Sequence, residues 1–322
     1  MAALEEKIIA QTGASKIIRT ASIQSLWSGY GEIRKYFLKG GKYPSVIVKH
    51  IHWPEEKNHP HGWNTELSHQ RKLQSYQVEK NWYQHFAHCT NEYCSVPHRI
   101  HTLEKATEIL LIMEDLDASG YDIRLHHDTV TYEDAKNCLR WLAHFHANFM
   151  GVAPSGLWPI GTYWHLDTRP DELEKMGNIR LKQVAQNIDH RLNSAKFQTL
   201  VHGDAKLANF CFGEKGEIAA VDFQYVGKGC GMKDVAYLIS SCFDDRTCEK
   251  YEKELLSCYF EHLEGALDKT INFQEVKEEW RTLYKYAWAD FYRFLDGWSP
   301  GHWKMHGYSK RLTQSVIDEF TP

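Results

Sequence analysis

VHGDAKLANFCFGEKGEIAAVDFQ, residues Val201–Gln224, is the stretch whose reading decides the fold. Two short strand-like runs frame it, Thr199–Val201 and Ile218–Val221, with polar residues between and after them. Asp204 and Asn209 stand five residues apart on the loop after the first run, and Asp222 ends the second, eighteen residues beyond Asp204. A hairpin of this kind turns a carboxylate, an amide and a second carboxylate toward one mouth. Asp204 then suits a base that orients a hydroxyl, and Asn209 and Asp222 suit hard oxygen ligands for Mg²⁺. The plain alternative is an ordinary hairpin with incidental acids.

The spacing of His202, Asp204 and Asn209 matches the protein-kinase catalytic loop, with Gly203 where that loop has Arg. The H-G-D-x-x-x-x-N loop, the V-D-F-Q of 221–224 and the D-V-A-Y-L of Asp234–Leu238 resemble the aminoglycoside phosphotransferase and choline kinase-like superfamily, in particular its ecdysteroid kinase-like branch. The resemblance is strongest over Leu200–Ile239 and continues more weakly from residue 20 to about residue 300. It implies an α+β, two-lobed protein-kinase-like fold, with a small antiparallel-sheet lobe over 1–113 and a mostly helical lobe over 114–322. It also implies ATP and Mg²⁺ as cofactors.

Composition agrees with a folded enzyme. The chain has 322 residues, 43% hydrophobic and 25% charged, enough for a large core. A net charge of −4 without a long Lys/Arg block gives no reason to expect a nucleic-acid partner. MAALEEKIIA does not read as a secretory signal and no apolar run approaches membrane-spanning length, so the expectation is a cytoplasmic protein with no membrane partner. The eight cysteines are scattered without a CxxC pair, which suggests neither a zinc nor a redox site. His50, His52, His59 and His61 could in principle bind a metal, but Pro54, Asn58, Pro60 and Gly62 give that segment the composition of a surface loop.

Upstream, a short helix is expected over Leu4–Thr12, then strand-like runs from Ile23, around Ser28–Gly31, and on to SVIVKHI. In a kinase-like lobe the turn containing Gly29 and Gly31 lies over the nucleotide phosphates, where missing side chains let N–H groups approach oxygen. Lys49 ends the run Val46–Val48. On the helix starting near Asn64 or Thr65, Tyr76, Glu79, Tyr83 and Phe86 form one stripe, so Glu79 lies within an apolar face and needs a partner. Lys49, as the lysine that touches the nucleotide phosphates, is the expected partner, with Glu66 as the competing acid. Runs at Val96–Leu103 and Glu108–Met113 complete five strands, and LLIMEDL resembles the hinge, with purine contacts expected near Met113, Glu114 and Leu116.

Downstream, Thr131–Asp134 reads as a capping box for a helix to about Met150, in which His146 is a core histidine. Residues 151–168 form a loop able to line an acceptor site, and Asp171–Asn193 reads as helix. Lys206 is either a ligand of the γ-phosphate or a solvent lysine, and the role of Gln224 is open. Asp234 resembles the acid that holds the catalytic loop through its N–H groups. Only twelve residues separate Asp222 from Asp234, too few for an activation loop and docking segment, so the expected acceptor is a small molecule, choline-like, aminoglycoside-like or steroid-like. The aromatic region Trp280–Tyr308, with Asp290 and Asp296, could cage a cation, although its spacing also makes a helical core stripe. The alternative to an enzyme is an inactive, nucleotide-binding pseudokinase.

Overall fold

A computed structural model describes residues 2–26, 29–53 and 66–321. Helix α1 (Ala2–Thr12) leads into strands β1 (Lys16–Ser25), β2 (Gly31–Lys39) and β3 (Ser45–His52). Helix α2 (Glu66–His85) follows, then β4 (Arg99–Lys105) and β5 (Glu108–Glu114). The five strands form one antiparallel sheet in the order β1-β2-β3-β5-β4. β1 begins well before Ile23, where the sequence pattern changes. It is an edge strand whose side chains are mostly exposed, so it carries no hydrophobic alternation to mark its start.

Strand alternation decides where Lys49 goes. Val46, Val48, Leu110 and Ile112 share the outer face with Tyr36 and Leu38, where Ile8 of α1 covers them. Ile47, Ile51, Ile109, Leu111 and Met113 pack with the main core, which includes Tyr76, Val78 and Trp82 of α2. Lys49 alternates with Val48 and shares the second face, so it meets α2 rather than water.

The helical part begins with α3 (Tyr132–Asn148), α4 (Pro170–Glu174) and α5 (Ile179–Asn193). Thr131 and Asp134 form the expected reciprocal capping box on α3. The helix expected over Asp171–Asn193 is broken in two. Asn178 starts α5 afresh by accepting from the Leu181 N–H at 3.0 Å, while its own N–H donates to Asp296 at 2.8 Å. Short strands β6 (Thr199–Val201), β7 (Phe210–Phe212), β8 (Ile218–Ala220) and β9 (Gly227–Gly229) pair as β6–β9 and β7–β8. Helices α6 (Met232–Cys242), α7 (Asp245–Ala266), α8 (Phe273–Trp298) and α9 (Gly307–Phe320) complete the chain. Trp280, Tyr284, Ala287, Trp288, Phe291 and Leu295 are all buried, so most of the aromatic stripe of α8 is core, while Trp298 at its end and Trp303 beyond it are exposed. Among the described residues no helix is long and apolar enough to cross a membrane.

Candidate active site

Pairing of β6 with β9 fixes the point at which the chain leaves the sheet at Val201, and the next three residues form the loop. Gly203 has φ +78°, and a Cβ there would lie 2.0 Å from the Tyr225 carbonyl oxygen. Glycine is therefore required where the protein-kinase pattern has Arg. Asp234, in the first turn of α6, accepts the N–H groups of His202 at 2.6 Å and Gly203 at 3.0 Å. His146 stands behind it, with Nε2 3.1 Å from Asp234 and Nδ1 2.8 Å from the Tyr259 hydroxyl, fully buried as a core histidine. Phe223 stacks on Trp82 of α2 at 4.5 Å between centroids and tilts against His202 at 4.6 Å. The loop is thus tied to helices from both halves of the chain.

Asp204 uses only one of its oxygens. Oδ2 accepts from Lys206 Nζ at 3.0 Å and from Asn209 Nδ2 at 3.1 Å, while Oδ1 is buried without a partner among the described residues. Burial pushes its pKa up; Lys206 opposes the rise and Asp222 adds to it. Asn209 Nδ2 also donates to the Asp204 carbonyl at 2.7 Å, so the recorded bonds of this side chain engage its nitrogen and not its oxygen. Asp222 sits at φ +71°, a left-handed conformation uncommon for a residue with a side chain. Its Oδ1 accepts from Gln224 Nε2 at 2.6 Å and lies 3.9 Å from Lys49 Nζ. Burial would raise its pKa, but the ammonium groups of Lys49, Lys206 and Lys72 hold it below the usual carboxylate range.

Lys49 Nζ lies 2.6 Å from Glu79 Oε2, with both side chains buried. Burial raises the Glu79 pKa against the pull of Lys49. Glu66, the competing acid, has a side chain outside the described residues. Lys206 is 38% exposed, and attraction to Asp204 and Asp222 outweighs its loss of hydration, so its pKa is raised.

One contributor escaped the sequence reading, and another was named there without a role. Lys72 of α2 donates to Gln224 Oε1 at 3.0 Å and stands 4.7 Å from the Tyr76 ring centre. Burial, with the charge of Lys49, brings its pKa down to about 8. Lys72 precedes Glu79 by seven residues, two turns along one helix face, and that spacing was the available signal. Gln224, whose role the motif left open, joins Asp222 to α2 through Lys72 and through Ser75 Oγ at 3.2 Å. Its carbonyl accepts from Trp158 Nε1 at 2.8 Å.

The remaining predicted positions fall around this centre. Gly31 has φ +128°, and a Cβ there would lie 2.0 Å from the His50 carbonyl oxygen; Gly29 has φ +76°. Between them Tyr30 is buried, with its hydroxyl bonded to His69 Nδ1 of α2. Ser28 of this turn lies outside the described residues. Gly31 pairs with Ile51, two residues from Lys49, so the turn ends beside that lysine. Met113 is buried near the end of β5, and Leu116 is buried in the linker after it. The Glu114 carboxylate is engaged by the His98 N–H at 2.9 Å and by the Ser119 hydroxyl. Asp115 is engaged by Ser45 Oγ at 2.5 Å and Lys35 Nζ at 2.7 Å. Of the histidine cluster, His59 and His61 lie outside the described residues, and His50 Nε2 is 3.4 Å from Glu108.

The loop over 151–168 packs on the catalytic loop. The Tyr163 N–H donates to the Gly203 carbonyl at 3.1 Å, and its hydroxyl is 3.2 Å from that of Tyr237. Asp290 accepts from Trp164 Nε1 at 3.0 Å and pairs with Arg293, and Asp296 caps the Asn178 N–H. Neither acid is available to a caged cation.

The comparisons with known proteins agree with the fold. The profile described as "Phosphotransferase enzyme family" matches residues 22–268. Solved structures with a similar fold include the microcompartment-associated aminopropanol kinase, at 16% identity and TM-score 0.53, covering 99% of this chain and 94% of the other. A thermostable mutant of the aminoglycoside phosphotransferase APH(4)-Ia, in ternary complex with ADP and hygromycin B, shares 10% identity at TM-score 0.53, over 97% of this chain and 98% of the other. APH(2")-IIia, in complex with GDP and kanamycin, shares 10% identity at TM-score 0.51, over the full length of both chains. No curated protein sequence matches the chain.

Proposed function

We propose, on the premise that this chain belongs to the phosphotransferase enzyme family, that it moves the γ-phosphate of ATP to a hydroxyl of a small organic molecule. The observation that carries this reading is Asp204 Oδ1, a buried carboxylate oxygen that accepts no hydrogen bond among the described residues, with the Tyr237 hydroxyl near the same carboxylate, on a loop whose other oxygen donors are Asn209 and Asp222. An unpartnered buried oxygen costs stability unless function uses it. A substrate hydroxyl is the partner that would satisfy it.

In this reading the cleft divides the chain into a nucleotide lobe over 1–113 and an acceptor lobe over 114–322. Lys49, held by Glu79, contacts the α- and β-phosphates beneath the turn of Gly29 and Gly31. The linker from Met113 through Glu114 to Leu116 receives the purine through its main chain, since the Glu114 carboxylate is already engaged. Asp204 orients the acceptor hydroxyl and takes its proton late in transfer. Lys206 neutralises the γ-phosphate. Asn209 and Asp222 have the oxygen chemistry to hold Mg²⁺, which when bound neutralises charge on the phosphates. Gln224 fixes the Asp222 carboxylate and ties it to α2.

The ADP and GDP in the related folds leave ATP and GTP as the donors to compare. The test is Mg²⁺-dependent nucleotide consumption across amino alcohols, aminoglycosides and polyhydroxylated steroids, with mass spectrometry for a product one phosphoryl group heavier. Acceptor-stimulated turnover is expected. Nucleotide binding without turnover across a broad panel would instead support a pseudokinase.

A further inference from the structure

Lys304 lies in the short segment between α8 and α9, with only 9% of its surface exposed. Its Nζ stands 4.5 Å from the Tyr237 ring centre, 5.5 Å from Phe291 and 5.7 Å from Trp303. Among the described residues no carboxylate pairs with this ammonium and no oxygen accepts from it. Aromatic faces attract a cation but accept little hydrogen bonding, so an ammonium with three donors is left with donors to spare.

This is the acceptor side of the cleft. Tyr237, the nearest ring, has its hydroxyl beside both Tyr163 and Asp204. Lys304 feels the charges of Asp204 and Lys206 from the catalytic loop, Cys242 is its neighbour on α6, and His302 is on its own segment. Burial brings its pKa down to about 7 against the pull of Asp204. Among the described residues, Glu79, Asp204 and Asp222 are the carboxylates that act on Lys49, Lys72, Lys206 and Lys304. Lys49 and Lys72 lie on the nucleotide side, and Lys206 spans the transfer point.

We propose that Lys304 is the acceptor-recognition residue and that the acceptor is an anionic alcohol, carrying a carboxylate, phosphate or sulfonate near the hydroxyl that is phosphorylated. The inference rests on the phosphotransfer reading. An anion gives the spare donors their acceptor, and its charge-assisted bonds form in a largely buried place where they are stronger than in open water. A quaternary ammonium alcohol is disfavoured for the same reason: the rings that would cage it already hold the protein's own cation, and two like charges would be forced together.

The test uses alcohols matched in shape and different in charge: glucuronate, glucose and glucosamine, and glycolate, ethylene glycol and ethanolamine, with choline added. Isothermal titration in the presence of ADP and Mg²⁺ should show the anionic member of a set binding about tenfold or more tighter than the cationic one. Lys304→Met should abolish that preference and Lys304→Arg should keep it, which separates loss of charge from loss of fold. Tighter binding of the cationic members, no measurable binding of either anionic member, or an anionic preference that survives Lys304→Met would each overturn the proposal. Turnover with ATP is read separately. Anion preference that depends on Lys304, without turnover of any alcohol, would leave this site standing and count against phosphotransfer alone.

Discussion

The cleft holds two buried lysines that burial alone would describe in the same words, Lys49 on β3 and Lys304 after α8. Lys49 has a dedicated carboxylate 2.6 Å away, supplied by a helix whose stripe exists to cover that face of the sheet. Lys304 has only rings. In the proposed reading Lys49 is therefore paired before any ligand arrives, whereas Lys304 keeps its charge in reserve. A part of the site that must hold the same triphosphate in every turnover can be pre-paired. The part proposed to choose the acceptor keeps its recognition charge free.

Between these two sides sits the loop, and the largest effects are expected there. Asp222→Ala should lower turnover by about 10³-fold or more by removing an oxygen donor for the metal, which steady-state kinetics at saturating Mg²⁺ would check. Residual activity near wild type would show that Asn209 and Asp204 suffice, and that the link from Asp222 to Gln224 is merely structural. Asp204→Asn should lower kcat by about 10²-fold or more while nucleotide affinity stays within a few-fold, because it removes the proton acceptor and keeps the shape.

The comparison itself breaks or holds on stability. Lys49→Met leaves Glu79 buried without its cation and should cost about 3–5 kcal/mol in denaturant unfolding. Lys304→Met, which abandons no carboxylate, should be neutral or stabilising. Equal losses at the two positions would show that Lys304 has a structural partner after all. A smaller effect concerns pH. Because the Lys304 pKa lies at about 7, anionic alcohols should bind best below it. Raising the pH from about 6 to about 9 should weaken their binding roughly tenfold as the ammonium is lost. Asp204 and Cys242 favour the charged form while burial and Lys206 oppose it, and a bound anion itself moves the midpoint upward. A flat titration curve would remove Lys304 from recognition.

Local chemistry made much of this legible. The capping box at Thr131, the β-branched run before Lys49 and the apolar stripe carrying Glu79 are read over a few residues, and each forms as its pattern directs. Gly203 and Asp234 also carry local signatures, one of backbone geometry and one of a helix start. The start of β1 was not legible, since an exposed edge strand has no buried face to write into its sequence. Nor was the break at Asn178, because the bond that helps fix it comes from Asp296, over a hundred residues away.

The sequence by itself determined the loop, the acids and amide on it, and the need of Glu79 for a partner, because the helix period places it within an apolar face; the resemblance to kinases pointed to Lys49 as that partner. Tertiary structure alone decided that Lys72 reaches Gln224, that Asp290 and Asp296 are spent inside the fold, and that Lys304 comes under the influence of the Asp204 charge with no ion-pair partner among the described residues. Those relations depend on elements distant in the chain meeting in space. The charge of a buried group depends on everything around it, and no spacing rule within one segment encodes that.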